Sequence, residues 1–370
     1  MAFKRKTTSS TPLNFRPNMS DANVEPKGTK PTREATTVSE ILTLMVIFLC
    51  KKILFLERRL KIIIYLGCLF GISLVADVMP IPRWYFSRSD NIINRFFVKF
   101  AWGWNLFLVI PFLVLTCYIY CCGQKRRIAT HHLLRLFIAT FFWWFWTKLF
   151  NVIEANFGRC ISKGYNTKGT CLHAGHVWNG FDISGHCFIL IYGSLLLIEE
   201  TRCMMNWDGI KDYIRLEEHQ RSFKDNSVNS NPLRNLSDEE FVNLQINYVK
   251  YTPYIRGLFI AITCLQVMWD FMLLTTMLYY HVMVEKLIGG IIAIMTWFLT
   301  YHIWYRFPKV LPVLPGEGVF KYIKDQITKA QFPVARRRIG NIVNNQVPTF
   351  MGRPIYRQNQ ETNQDGEGNR

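Results

Sequence analysis

The sequence predicts an all-α integral membrane protein with six transmembrane helices. Apolar residues make up 50% of the 370 residues, and they are gathered into long runs rather than spread in amphipathic stripes. Several runs reach the ~20 residues needed to cross about 30 Å of hydrocarbon. The lysines and arginines, which leave a net charge of +18, cluster between particular runs. A basic balance suits either nucleic acid or an anionic membrane surface. The apolar runs decide for the membrane, and no nucleic-acid partner is expected.

Residues 1–40 are polar, rich in Lys, Pro, Ser and Thr, and read as a disordered cytosolic tail. The apolar stretch inside 41–61 is interrupted by Lys51 and Lys52 and is too short to span, so it reads as an interfacial helix. The membrane domain is expected over 62–306. Its first span is 62–79, ended by Pro80 and Pro82, which lack the helical donor. The second is 98–121, with Pro111 inside. The third is 133–153, with Trp143, Trp144 and Trp146 read as packing residues. The fourth, 183–198, is short and stops at Glu199-Glu200, which implies tilt or shelter among other helices. A polar segment over 204–253 reads as a cytosolic loop. The fifth span is 258–280 and the sixth 287–305. Residues 307–370 read as a basic cytosolic tail, with Arg336-Arg337-Arg338 as a membrane-surface anchor.

Lys51, Lys52, Arg58, Arg59 and Lys61 precede the first span, and Lys125, Arg126, Arg127 and Arg135 separate the second from the third. The positive-inside rule puts these, the 204–253 segment and both termini on the cytosolic side. The loop 154–182, His186 and His281 then face the lumen. The acceptor patterns at Asn18 and Asn235 are expected to stay unglycosylated. One basic turn, Arg83, Arg88, Arg95 and Lys99, falls on the wrong side of that rule and is read as holding phosphate.

The candidate chemistry lies at Gly180–His186, where a polar loop meets an apolar helix. Gly185 lets backbone approach a ligand, Ser184 offers a donor, and His186 carries a proton near neutral pH. Asp182 precedes His186 by four residues and is placed to orient it. The alternative is a capped helix start with Asp182 or Ser184 as the cap. His281 ends the fifth span. Glu285 follows it as a hydrogen-bond acceptor, and Asp270 stands three turns earlier as an intramembrane carboxylate. The alternative for His281 is an interfacial residue beside Tyr279-Tyr280. Two histidines facing one compartment suit phosphoryl transfer, one as nucleophile and one as acid, with basic residues neutralising the phosphate. No metal or other cofactor is implied, and no carboxylate cluster suits magnesium. Cys160 and Cys171 share one polar loop and read as a disulfide, in preference to a zinc site with His173 and His176.

The string Phe181-Asp182-Ile183-Ser184-Gly185-His186, followed by Cys187-Phe188 and later by Glu199-Glu200 and Tyr280-His281, resembles the FIT family, the fat storage-inducing transmembrane proteins of the endoplasmic reticulum. Phe97-Val98-Lys99, Ala101-Trp102, Lys286 and Gly289 add to the likeness, which runs from about 79 to 305. The resemblance implies a lipid-phosphatase-like six-helix bundle in the endoplasmic-reticulum membrane. It implies a hydrolase that cleaves the diphosphate of fatty acyl-coenzyme A to acyl phosphopantetheine and adenosine bisphosphate, supporting lipid-droplet formation. By that analogy His281 is the nucleophile and His186 the acid. Asp182, Ser184, Gly185, Glu285, Lys99 and Arg88 are the candidates for binding or orienting substrate, and Glu285 stands where lipid phosphatases have aspartate. The other readings are a non-enzymatic protein that partitions triacylglycerol and diacylglycerol among membrane lipids, and a proton-relaying transporter, for which neither internal repeats nor broken helices are found.

Overall fold

In the computed structural model, residues 37–79, 81–82, 84–88, 91–92, 94–162, 164–223, 231–307, 311–322, 349–350 and 353–354 are described. Arg83, Asn18 and the Arg336–Arg338 run of the sequence analysis lie outside them.

The described chain is helical in each place where a span is expected. Helix α1 (Val38–Leu54) opens at Thr37, whose hydroxyl accepts from the Glu40 amide at 3.3 Å. It buries Ile47, Cys50 and Leu54 and leaves Val46, Phe48 and Leu49 exposed, as an interfacial helix facing lipid would. Helices α2 (Arg58–Val78) and α3 (Ala101–Tyr120) are the first two spans. The next begins with α4 (Lys125–Arg127), passes through a π-helical turn at Ile128–Leu133 and continues as α5 (Leu134–Asn156), a 32-residue rod. The fourth expected span is α7 (Gly185–Glu200). At 16 residues it is not among the five helices long and apolar enough to cross a membrane. It is instead the centre of the bundle, packed against α3 and against the last two long helices, α9 (Asp238–Tyr279) and α10 (Met283–Trp297). Shelter inside protein is the physical reason so short a helix suffices. With its π-helical and 3-10 extension, α10 runs to Arg306.

Two expectations need correction. The 204–253 segment is not a loop. It contains α8 (Gly209–Phe223) and the first four turns of α9, a continuous 42-residue helix through Pro253. Ser237 and Glu240 form a reciprocal capping box that starts α9, so the polar sequence is a helix projecting beyond the hydrocarbon. The tail expected from 307 is also partly folded. Residues 311–322 lie back on the bundle: the Val319 amide donates to the Tyr120 carbonyl at 2.9 Å, and the Tyr322 hydroxyl donates to the Cys203 carbonyl at 3.0 Å. Phe320 and Tyr322 are buried, which is why this stretch does not behave as a solvated tail. Residues 325–370 form a separate unit, in which Thr349–Phe350 (β3) and Arg353–Pro354 (β4) pair antiparallel.

An aromatic column and an ion pair hold the two ends of α7. Trp102 stacks between Trp143 and Tyr192, at 5.6 Å from each, and Phe188 meets both Tyr192 and Phe150 at 5.5 Å. The expected packing role of Trp143 is realised here. At the C-terminal end, Arg135 grips Glu200 through two bonds of 2.9 and 2.7 Å, and Tyr301 donates to the same carboxylate at 2.6 Å. Both members of the pair are fully buried, so each charge depends on the other.

Candidate active site

At the other end of α7 the chain builds a folded loop before it reaches the helix. Strand β1 (Arg159–Cys160) pairs antiparallel with β2 (Trp178–Asn179), and a short α6 (Lys168–His173) lies between them. A Cys160–Cys171 disulfide, with Cα atoms 5.9 Å apart, closes the loop. Trp178 donates to the Glu154 carbonyl at 3.0 Å and Lys168 pairs with the Glu154 carboxylate at 2.5 Å, anchoring the loop on the end of α5. Asp182 leaves this anchored loop and enters the site.

Ser184 caps α7. Its hydroxyl accepts from the Cys187 amide at 3.3 Å and its own amide donates to the Glu285 carbonyl at 3.2 Å. Helix α10 starts beside it, with Met283 donating its amide to Asp77 at 2.7 Å. Two helix N-termini therefore open at one place, and their free amides and dipoles favour an anion there. Close contact is permitted by Gly289: a Cβ on it would lie 2.6 Å from the Ser184 carbonyl oxygen. At Gly185 a Cβ would meet nothing within 4 Å, so the space above the start of α7 is open.

His281 occupies the turn between α9 and α10 with φ of 57°. That left-handed backbone costs a non-glycine residue roughly 1–3 kcal/mol and turns the imidazole back toward α10. Its Nδ1 is 3.2 Å from Glu285 Oε2 and 3.7 Å from Asp182 Oδ2. A carboxylate can only accept, so Nδ1 carries the proton and Nε2 keeps its lone pair. Glu285 also accepts the amides of Asp182 and Val282, at 3.2 and 3.4 Å, which fixes the carboxylate before any substrate arrives. Burial pushes the Asp182 carboxyl above its usual value. A positive charge on His281, whenever its ring is doubly protonated, pulls it down, and the Glu154 and Glu285 carboxylates push it up.

His186 stands in the first turn of α7. Its ring stacks on Tyr280 at 6.3 Å with the planes 10° apart, and it lies within electrostatic reach of His281 and Lys99. The structure thus groups His186, His281, Asp182, Ser184, Gly185, Glu285 and Lys99. Arg88 lines a separate cleft beside them. Asp270 does not join the group. It accepts from Tyr65 at 2.6 Å and Gln266 at 3.0 Å and pairs with Lys61 at 3.7 Å, three turns down α9.

Three residues that the sequence did not single out as site residues, Tyr280, Lys286 and Asp77, support the group. Tyr280 supplies the ring beneath His186. Lys286 is buried, donates to the Met277 carbonyl at 2.7 Å and approaches Asp77 at 3.9 Å, so it ties the end of α9 to α10 and α2. The adjacency of Tyr280 to His281 was a readable signal. The Asp77–Lys286 approach joins positions far apart in sequence and was not.

A sequence profile for the fat storage-inducing transmembrane proteins matches residues 82–301 of this chain, which include all of these residues except Asp77. The chain belongs to the FIT family. A relative from Drosophila melanogaster, acyl-coenzyme A diphosphatase FITM2, is 48% identical over 95% of this chain and 88% of its own length. Proteins of the same name from Xenopus tropicalis and Homo sapiens are 33% and 29% identical, over 71% and 70% of this chain. No solved structure matches. The FIT match begins beyond α2, so α1 and α2 are packed onto the family domain from outside the matched region.

Proposed function

We propose that this protein is a membrane-embedded acyl-coenzyme A diphosphatase. The observation that carries the reading is that His186, in the first turn of α7, stacks on Tyr280, the residue before His281, while Glu285 and Asp182 stand on the Nδ1 side of His281 in the α9–α10 turn. The names of the FIT relatives supply the substrate. In this reading His281 Nε2 attacks the phosphorus on the pantetheine side of the diphosphate. The N–P bond forms as the bridging P–O bond breaks. His186 gives its proton to the departing oxygen of adenosine bisphosphate and then takes one from water. That water cleaves the N–P bond, releases acyl phosphopantetheine and restores His281. Lys99 and the two helix N-termini offset the charge on phosphorus.

The Lys and Arg distribution supports cytosolic termini and a lumenal site in the endoplasmic-reticulum membrane. Neutral lipids and a part in lipid-droplet formation belong to the same reading through the family.

Purified protein in detergent should convert acyl-coenzyme A to the two products. A folded His281→Ala protein should lose about 10²–10⁴-fold in kcat. Turnover at the native rate by a well-folded protein carrying both His186→Ala and His281→Ala would reject the enzymatic reading in favour of lipid partitioning.

A further inference from the structure

Beside the histidines lies a cleft of about 810 Å³, lined by the ends of α2 and α9 and by the segment joining α2 to α3. Its volume falls in the range of about 300–1,000 Å³ typical of small-molecule sites. The walls include Trp84, Tyr85, Arg88, Leu278 and Tyr279. Trp84 and Tyr85 are 67% and 46% exposed, and Tyr279 is held by donation from its hydroxyl to the Pro82 carbonyl at 3.4 Å. Arg88 is exposed, and among the described residues no carboxylate pairs with it.

The chain connects this cleft directly to the candidate site. Tyr279 lines the cleft, Tyr280 stacks under His186, and His281 faces Glu285. On the α2 side, Ala76 lines the cleft and Asp77 holds the start of α10.

We infer that this cleft binds the adenosine 3'-phosphate end of the substrate, with the purine stacked among Trp84, Tyr85 and Tyr279 and the ribose phosphate held by Arg88. The inference rests on the acyl-coenzyme A reading. Every nucleobase presents a π-face to aromatic side chains, and a guanidinium matches a phosphate with paired donors. Exposed aromatic residues at helix ends also form interfacial belts in lipid. A belt has no use for a concave wall, and this wall carries an exposed arginine that no carboxylate among the described residues pairs with. A diphosphate held between His186 and His281 leaves its nucleotide end beside Tyr279, whereas the acyl end must return to the membrane. The cleft thus selects the nucleotide, and the histidines cleave whatever diphosphate it presents.

Three substrates separate the parts: acyl-coenzyme A, its analogue lacking the ribose phosphate, and an acyl pantetheine diphosphate capped with methyl in place of adenosine. Trp84→Ala should raise KM for acyl-coenzyme A about 10-fold, with kcat near native, and leave the methyl-capped compound unaffected. Arg88→Gln should raise KM about 10-fold for acyl-coenzyme A and not for the analogue lacking the phosphate. Binding of adenosine 3',5'-bisphosphate to the full-length protein, followed by calorimetry, should weaken about 10-fold in Arg88→Gln. Unchanged KM values and unchanged bisphosphate affinity in both variants would overturn the inference and leave Trp84 and Tyr85 as a membrane belt. If no protein turns over any substrate while the bisphosphate still binds through Arg88, the hydrolase reading fails and the nucleotide site stands.

Discussion

The amide of Ser184 donates to the carbonyl of Glu285 at 3.2 Å, and this one bond joins the starts of α7 and α10. Glu285 then uses its carboxylate on both sides of the junction, toward the Asp182 amide and toward His281 Nδ1. The histidine turn and the Ser-Gly-His turn are therefore not independent features. Moving either displaces the other.

Glu285→Ala should lower kcat by about 10²-fold, the cost of a misplaced reacting group. Glu285→Gln keeps the size and one acceptor oxygen, so it should retain more activity. Both proteins should keep native KM, because the carboxylate meets the imidazole and backbone rather than the substrate. Steady-state kinetics on the two variants decides the point. A native kcat in Glu285→Ala would mean that His281 needs no orienting partner.

Two glycines at this junction should respond in opposite ways. Gly289→Ala places a methyl 2.6 Å from the Ser184 carbonyl oxygen, where backbone cannot yield without separating α7 from α10. A loss of about 1–3 kcal/mol is expected from such overpacking. Gly185→Ala meets no atom within 4 Å and should leave thermal stability unchanged or slightly raised. Thermal unfolding in detergent compares them. Equal stability of the two variants would show that the junction is looser than its geometry.

Much of this was legible in the sequence, and the misses share a cause. Apolar runs located α2, α3, α5, α7, α9 and α10, because a membrane span is a composition signal. The 204–253 segment was misread because its charged residues mask helical periodicity, although Ser237 and Glu240 carry the spacing of a capping box. The folded-back 311–322 stretch depends on Tyr120, Arg135 and Cys203 partners that only the tertiary structure brings near. Asp270 was grouped with His281 as an intramembrane carboxylate three turns earlier on the same helix, and Lys61 and Tyr65 on another helix claim it instead. The loop pair Cys160 and Cys171 was readable because both lie in one polar interruption of an apolar chain, and His186 and His281 stood out because each sits where a polar turn meets an apolar helix.

Asp182 gives the site a pH signature. Its folded-state value is raised by burial, despite the pull of His281. A raised carboxyl binds its proton more readily folded than unfolded. Its contribution to stability is therefore full below the unfolded value and falls as pH rises through the window up to the folded one. Asp182→Asn cannot titrate. The difference in unfolding temperature between the two proteins should change across that acidic window and be flat above it. A difference that is flat throughout would show that Asp182 is not perturbed.

Topology follows from the length of α9. Its 42 residues rise roughly 63 Å, about twice the hydrocarbon thickness. Asn235 precedes its first residue and His281 follows its last, so the two lie at opposite ends. If the histidines face the lumen, the acceptor pattern at Asn235 is cytosolic and stays unmodified although the side chain is exposed. Lys168→Thr would create an acceptor pattern at exposed Asn166, in the disulfide-closed loop at the histidine end. The lost Lys168–Glu154 pair is partly exposed and is worth at most about 1 kcal/mol, so the loop should survive. In microsomes, glycosidase treatment should shift the mobility of Lys168→Thr and leave that of the native chain unchanged. The reverse pattern, glycan on native Asn235 and none on Asn166, would invert the orientation and place the histidines in the cytosol.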